Sequence, residues 1–235
     1  MVAAKINNKR LKSEHVTAYS KEEIKAMMNH IDKAYPYCYK TVKSVSQGVY
    51  GTLGNTRRKR LGKLLLNKQL KALIILALET GLRREELFNL KVADVQDINE
   101  TIYVVGKGYK ERSVPFTDVA KQAMNTWLWH RDLAQPLDDQ CLWIQTTRML
   151  GSAVSYSQFQ KWGQLMGDKP VKLHRFRHSF GTVNANAGMP LHILREIMGH
   201  SNLAVTSKYI NTTADECVEA TNLIANARAK MYGII

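Results

Sequence analysis

Apolar residues recur at helical spacing along most of this chain, and β-branched residues cluster in only one part of it. Ser20 and Glu23 have the spacing of a capping box, which predicts that a first amphipathic helix begins at KEEIKAMMNHI. A strongly apolar helix is predicted over QLKALIILALETGL, with Gly81 as its C-terminal cap. A second, short helix is predicted directly after it, over REELFNL.

The two β-branched runs, TIYVVG and RSVPF, flank the glycine-rich segment GKGYKE, so they predict a β-hairpin or a pair of sheet strands. Helical periodicity or capping residues then return in five segments: DVAKQAMNTWLWHRDL, SYSQFQKWGQLM, HRFRHSFGTVNANAG, LHILREIMG and ADECVEATNLIANARAKM. The pattern therefore predicts a mainly α-helical domain with one small antiparallel sheet, which is an α+β fold.

The distribution of polar and basic residues indicates how the chain is divided into an arm and a domain. Residues 1–16 are basic and polar and are predicted to form an N-terminal arm, followed by one domain over 17–235. Residues 34–67 contain no acidic side chain, and we expect this stretch to be a basic loop or insertion within that domain. No internal repeat, low-complexity tract or long linker indicates two comparable domains.

The net charge of the chain indicates the class of its binding partner. Lys and Arg number 34 against 20 acidic residues, a formal net charge of +14, which favours a polyanion such as nucleic acid. Four consecutive cations in the acid-free stretch are predicted to contact DNA phosphates, with a solvated flexible segment as the alternative. These cations are Arg57, Arg58, Lys59 and Arg60.

The cysteines and the apolar segments restrict the location of the protein. Cys38, Cys141 and Cys217 are far apart and never in C-x-x-C spacing, so they indicate neither a disulfide framework nor a zinc site. No apolar run approaches the ~18 to 20 residues of a membrane span, and the N-terminus has no continuous apolar signal segment. We therefore expect a cytoplasmic protein without a membrane partner.

Several reactive side chains have ordinary explanations when each is taken alone. Arg83 suits a surface or capping position just after Gly81, and Lys107 suits an exposed hairpin turn between two glycines. His200 follows a glycine at the end of a predicted helix, where histidine interacts favourably with the helix dipole.

Two histidines and an arginine share one predicted helix. His174 and Arg177 are spaced i, i+3 and lie on the same face, and His178 follows at i+4 from His174. A metal site on the two histidines lacks both a third ligand and the intervening glutamate of a zincin. The sequence therefore predicts no metal site here.

Together, TGLRREEL, GKGYKER, HRFRHSFGT and MGHSNLAVTSKY resemble, in order, the sequence boxes of the tyrosine recombinase (phage integrase) family. The resemblance covers residues 17 to 230 in outline, and Tyr209 comes nine positions after His200, as the family pattern expects. The resemblance implies six catalytic residues: Arg83, Lys107, His174, Arg177, His200 and Tyr209.

The resemblance also implies the chemistry. The Tyr209 oxygen would attack a DNA phosphodiester, leaving a 3′-phosphotyrosyl link that is resealed to a different 5′-hydroxyl without any cofactor. Two arginines would stabilise charge on the non-bridging oxygens, and His174 would act as a base or a phosphate donor. His200 would add a hydrogen bond, and Lys107 would protonate the leaving 5′-oxygen. Glu86, three residues after Arg83, would either orient that arginine or stay solvated.

The partners implied by the resemblance are a double-stranded recombination site, further copies in a tetrameric synapse and accessory DNA-bending proteins. The C-terminal segment ADECVEATNLIANARAKM would pack on a neighbouring subunit or on its own domain. We expect the catalytic domain to begin near residue 17, which would be a departure from the family because it would leave no room for a separate core-binding domain. The basic 34–67 stretch is then expected to substitute in part. The alternatives are a catalytically idle DNA-binding protein on the same fold and a type IB topoisomerase. The sequence leaves integration, excision, inversion and plasmid multimer resolution equally open.

Overall fold

The computed structural model describes residues 17–36, 55–96, 101–105, 111–137, 139–146 and 151–200. The helices of this part of the chain are α1 (Lys21–Ala34), α2 (Asn55–Thr80), α3 (Arg84–Asn89), α4 (Asp118–Asp132), α5 (Tyr156–Lys161), α6 (Leu173–Asn186) and α7 (Leu191–Met198). Its strands are β1 (Thr101–Val105) and β2 (Glu111–Pro115), which form one antiparallel sheet. The predicted mainly helical fold with a small antiparallel sheet is confirmed.

Helix α1 begins as its capping pair predicted. The Ser20 hydroxyl accepts a hydrogen bond from the Glu23 backbone N–H at 3.2 Å, and the Glu23 carboxylate accepts one from the Ser20 N–H at 2.8 Å. Met27 and Ile31 are buried on the inner face of the helix. Two of the otherwise unpaired N–H groups at this helix start are thereby satisfied.

Helix α2 corrects the sequence prediction for part of the basic stretch. Residues 55–67 were expected to belong to a loop or insertion, but they form the first half of this 26-residue helix. The apolar triad Leu61, Leu64 and Leu65 is fully buried and continues the helix face that packs in the core, while Arg58, Lys59 and Arg60 are exposed. Gly62 serves close packing here, since a Cβ at this position would lie 2.0 Å from the Thr146 carbonyl oxygen. Residues 37–54 lie outside the described ranges.

Helix α2 is the centre of the domain and ends where the sequence predicted. It packs mainly against α4 and α6, and Gly81 follows its last residue with a positive φ of 60°. This left-handed conformation ends the helix and turns the chain towards α3. The α2 terminus therefore places Arg83 at a sharp bend inside the fold.

The hairpin and the last described helix form one side of the domain. Ile102 pairs with Val114 and Val104 with Arg112, so these four side chains share the inner face of the sheet. Strand β2 packs against α7, whose C-terminal cap is Gly199. The predicted strand pair is thus confirmed as antiparallel, while residues 106–110 lie outside the described part of the chain.

The remaining core lies under α4 and α5. Trp143, Phe159 and Trp162 form a buried aromatic cluster, and the Trp143 indole N–H donates to the Leu87 carbonyl at 2.6 Å. The helix predicted over SYSQFQKWGQLM is shorter than expected, because α5 passes at Trp162 into a single 3₁₀ turn. The helix predicted over ADECVEATNLIANARAKM falls beyond residue 200 and outside the described ranges. No helix within those ranges combines the length and apolar character needed to cross a bilayer.

Candidate active site

Three arginines from different elements meet at the C-terminal end of α7. The last carbonyl groups of a helix lack partners within the helix and carry the negative end of its dipole, so they attract cations. Three successive carbonyls here accept from three guanidinium groups: Ile197 from Arg112 Nε at 2.8 Å, Met198 from Arg177 Nη2, and Gly199 from Arg83 Nη2 at 2.6 Å. The end of α7 therefore brings together residues that are far apart in sequence.

Arg177 is the most deeply buried of these arginines, with 3% of its surface exposed. Its Nη1 donates to the Gly81 carbonyl at 2.8 Å, and its Nη2 donates to the Met198 carbonyl. A buried charge is tolerated only when such polar partners replace water. Arg177 thus links the bend after α2 to the end of α7.

Arg83 lies at the start of α3 and is held from two sides. Its Nη1 donates to Glu86 at 2.9 Å, and its Nη2 donates to the Gly199 carbonyl. The Arg83 backbone N–H also donates to Glu86, at 2.7 Å. Because 34% of the Arg83 side chain stays exposed, its guanidinium is both fixed and accessible.

Glu86 is not the solvated carboxylate that the sequence left open, since only 5% of its side chain is exposed. Both of its oxygens accept from Arg112, at 2.7 Å each, in addition to the bonds from Arg83. Burial would raise the pKa of this carboxyl, but the hydrogen bonds from Arg112 and the Arg83 backbone, with the Arg112 charge, outweigh burial and lower the pKa to about 2. Glu86 is therefore a charged, fully engaged partner of two arginines.

Arg112 also belongs to this site, although the sequence patterns did not predict it as a site residue. Its side chain is 8% exposed and lies on the inner face of the hairpin, opposite Val104. The two-residue alternation of RSVPF would have indicated it, because an arginine that shares a strand face with Val114 faces the core. An inward arginine in a strand requires a buried acceptor, and Glu86 is that acceptor.

His174 and His200 are the two imidazoles of the site. Partial burial and the charges of Arg177 and Arg83 lower the pKa of both rings, for His200 to about 4. Arg84 acts in the same direction on His174, and Arg112 on His200. Both rings are consequently neutral at pH 7, so each has one nitrogen that donates a hydrogen bond and one that accepts.

Of the six residues implied as catalytic, the structure brings four together: Arg83, His174, Arg177 and His200. Lys107 and Tyr209 lie outside the described ranges. His178 bonds instead to the Thr182 hydroxyl on its own helix, at 3.3 Å. No three His, Cys, Asp or Glu side chains are grouped to hold a metal ion among the residues that the structure describes.

The basic segment lies away from this cluster. Arg58, Lys59 and Arg60 are exposed near the N-terminal end of α2, whereas the cluster adjoins its C-terminal end. At a rise of about 1.5 Å per residue, roughly 30 Å of helix separates Arg60 from Thr80. These cations therefore belong to a second surface and cannot reach the same phosphate as Arg83.

Comparison with protein families gives a match for most of the chain. The model of the phage integrase family matches residues 59–216. Tyrosine recombinase XerC of Haemophilus influenzae (strain PittEE) is 34% identical over 165 residues, which cover 68% of this chain and 54% of that protein. XerC of Mannheimia succiniciproducens is 34% identical over 188 residues, covering 75% of this chain and 62% of that protein. The chain thus spans about half the length of the curated relatives that it matches.

Solved structures share the fold. The Tn1549 transposon integrase in complex with transposon right end DNA superposes with a TM-score of 0.62 at 21% identity, covering 91% of this chain and 68% of that one. The XerA recombinase gives a TM-score of 0.57 at 20% identity, covering 88% of this chain and 64% of that one. These similarities support the fold described above.

Proposed function

The chain belongs to the phage integrase family, and from this premise we propose that it is a site-specific recombinase acting on double-stranded DNA. The enzyme cuts and rejoins strands through a 3′-phosphotyrosyl intermediate on Tyr209. The observation that carries the proposal is the convergence of two guanidinium groups, Arg83 and Arg177, at the end of α7, with the imidazoles of His174 and His200 beside them.

The arginines suit phosphoryl transfer by a tyrosine. When the Tyr209 oxygen bonds to phosphorus and the bond to the 5′-oxygen breaks, extra negative charge develops on the non-bridging oxygens. Planar guanidinium groups bind two such oxygens at once and keep their charge at any physiological pH. Arg83, fixed by Glu86 yet one-third exposed, is built to present its guanidinium to that phosphate.

The histidines have different proposed roles. A tyrosine with an ordinary pKa of about 10 is a weak nucleophile at pH 7, so a base must accept its proton. We assign this role to His174, whose partly buried side chain still reaches solvent on α6 beside Arg177. His200, with a pKa of about 4, is too weakly basic for that task and instead donates an N–H to a non-bridging oxygen.

Lys107 is the proposed acid for the leaving 5′-oxygen. It lies between two glycines in the segment that joins β1 to β2. Val104 and Arg112 anchor in the domain the end of the strand pair that adjoins this segment. A lysine on a long flexible stem, carried by an anchored hairpin, suits delivery of a proton to a strand end that must later move away.

DNA is proposed to continue past the cluster onto the basic end of α2. Arg58, Lys59 and Arg60 are exposed there, roughly 30 Å from Thr80 along the helix axis. One turn of B-DNA is about 34 Å, so these cations and Arg57 can contact phosphates about one helical turn from the cleaved bond. Such contacts add affinity without sequence preference.

The proposed assembly follows the same reasoning. We propose that residues 17–235 act as one catalytic domain behind a basic arm, 1–16, and that four copies assemble on paired sites with accessory DNA-bending proteins. The segment after Tyr209 would pack on a neighbouring copy. The protein would work in the cytoplasm, at the nucleoid or on phage or plasmid DNA.

The decisive experiment is to capture DNA that becomes covalently attached to the protein in a bacterial host, and to sequence it. The recovered site is then tested as a nicked suicide substrate, and as a pair of intact sites, in buffer containing EDTA. We expect adducts that survive SDS and recombinants between the two sites, because arginines supply the positive charge. Adducts without recombinants would favour a topoisomerase, and binding without adducts an idle DNA-binding protein.

A further inference from the structure

We propose that Arg112 is a positioning residue of the reaction, which holds the hairpin, Glu86 and the C-terminal end of α7 in one fixed arrangement. The inference rests on the function proposed above and adds a residue to it. With 8% of its side chain exposed, Arg112 is too buried to bind DNA itself. It acts through the residues that it contacts.

The hydrogen bonds of Arg112 use every nitrogen of its guanidinium. Nη1 and Nη2 donate to the two oxygens of Glu86 at 2.7 Å each, and Nε donates to the Ile197 carbonyl at 2.8 Å. This forked, planar pattern fixes both the position and the tilt of the group. A lysine, with a single nitrogen, cannot reproduce it.

Each residue that Arg112 contacts also contacts a proposed catalytic residue or lies close to one along the chain. Glu86 also accepts from the Arg83 side chain and backbone, so its position sets the direction of that guanidinium. Ile197 lies three residues before His200, at the end of α7 where Gly199 accepts from Arg83. One buried side chain thus controls the spacing between Arg83 and His200.

The fit around Arg112 is close. A Cβ at Gly199 would lie 3.0 Å from the Arg112 Cδ and 3.2 Å from its Nε and Nη1. Gly199 also has a positive φ of 62°, which disfavours other residues. The turn that carries His200 therefore rests directly on the Arg112 side chain.

Arg112 also anchors the end of the strand pair that adjoins residues 106–110. It is the inward residue of β2 that comes first after residues 106–110, the segment that carries Lys107. Its partner across the sheet, Val104, is buried. Loss of Arg112 would free this end of the strand pair as well as the Glu86 carboxylate.

The test compares Arg112→Met and Arg112→Lys with the control Arg131→Met. Arg131 is an equally buried arginine, 3% exposed, that donates to the carbonyls of Asp139 and Cys141 away from the site. In single-turnover cleavage of a suicide substrate, both Arg112 variants should form adducts about 100-fold more slowly, because small displacements of catalytic groups have effects of this size. DNA affinity should stay near the wild-type value, and Arg131→Met should cleave at the wild-type rate.

A second measurement needs no DNA. Burial and the charges of Arg177, Arg83 and Arg112 lower the pKa of His200, and His174 is the other titratable group that faces it. An NMR titration should therefore show a higher His200 pKa in Arg112→Met and an unchanged one in Arg131→Met.

The outcomes separate the two proposals. If wild-type protein forms no adduct on any DNA, the proposed function fails, while the titration still tests whether Arg112 acts on His200. If Arg112→Met does not fold, as judged by its thermal transition, Arg112→Lys carries the test. A folded Arg112 variant with the wild-type cleavage rate, or Arg112→Met with the wild-type His200 titration, would overturn the positioning role.

Discussion

Arg175 and Glu23 form a two-point ion pair, with Arg175 Nη1 and Nη2 lying 2.8 and 2.9 Å from the two carboxylate oxygens. Arg175 also donates from Nε to the Thr17 carbonyl at 2.6 Å and stacks on Tyr19 at 4.0 Å from the ring centre. The residue stands between His174 and Arg177 on α6. The segment before α1 is therefore fastened to the helix that carries two proposed catalytic residues.

These contacts of Arg175 predict the effect of Arg175→Ala. We expect the free energy of unfolding to fall by about 1 to 3 kcal/mol, because charge-assisted bonds to backbone and carboxylate are lost together. Glu23→Gln should cost less, since its partly exposed carboxylate gains little from the ion pair. Urea unfolding measures both values. The control is Arg195→Ala, which removes an exposed arginine of α7. Equal losses of unfolding free energy in Arg195→Ala and Arg175→Ala would show that the Arg175 contacts do not stabilise the fold.

Glu86 predicts a pH dependence of stability. Its pKa is about 2 in the fold against an ordinary value of 4.5, so the charged form stabilises the fold above about pH 4.5 and this contribution fades as the pH falls towards 2. The full difference corresponds to about 3 kcal/mol. Glu86→Gln should therefore be much less stable than the wild type at pH 6, with the gap narrowing at pH 3. Glu85→Gln, on the exposed side of α3, is the control in the same urea titrations. A gap that does not change with pH would show that Glu86 gains nothing from its charge.

Tyr209→Phe should abolish covalent adducts and leave DNA binding nearly intact, because one hydroxyl oxygen is the entire nucleophile. Labelled DNA analysed on an SDS gel measures the adduct, and a gel-shift titration measures the binding. Tyr103→Phe, an exposed tyrosine on β1, is the matched control and should form adducts normally. An SDS-resistant adduct in Tyr209→Phe would mean that another residue attacks the phosphate.

The proposed acid can be separated from the charge-stabilising arginines by sulfur substitution. Lys107→Ala should cleave normal DNA very slowly but recover when the leaving 5′-oxygen is replaced by sulfur, which leaves without a proton. Arg177→Ala should not recover, because the non-bridging oxygens that it stabilises are unchanged. Since Arg177 also bonds to Gly81 and Met198, its variant must first show a normal thermal transition. Equal rescue of both variants, or of neither, in single-turnover assays would reassign the acid, with Lys110 as the next candidate.

The basic end of α2 predicts a uniform loss of DNA affinity. Replacing Arg57, Arg58, Lys59 and Arg60 with alanine should weaken binding to every sequence alike, and should flatten the slope of log K against log salt by up to about 0.9 for each lost phosphate contact. A salt titration on specific and unrelated DNA measures both effects. The control replaces exposed lysines of α1, namely Lys21, Lys25 and Lys33. Unchanged affinity and slope in the α2 variant would show that this surface is solvated and does not contact DNA phosphates.

Local patterns in the chain were enough to predict most elements of the fold. The capping box at Ser20, the glycine after α2 and the two β-branched runs act over a few residues, so their outcome depends little on the rest of the molecule. The sequence boxes, in their order along the chain, were enough to identify the family, because the reaction needs particular side chains at particular positions. The same patterns failed for residues 55–67, where a run of cations concealed the leucines that bury one face of α2.

The convergence at α7 was decided by the tertiary structure alone. Nothing in the local sequence states that Arg112, Arg177 and Arg83 meet three successive carbonyls, since these arginines lie on separate elements and the helix end attracts them only once the core has packed. The state of Glu86 is decided in the same way. A carboxylate on a short helix is solvated or buried according to what the rest of the chain places over it, and here two guanidinium groups hold it charged inside the fold.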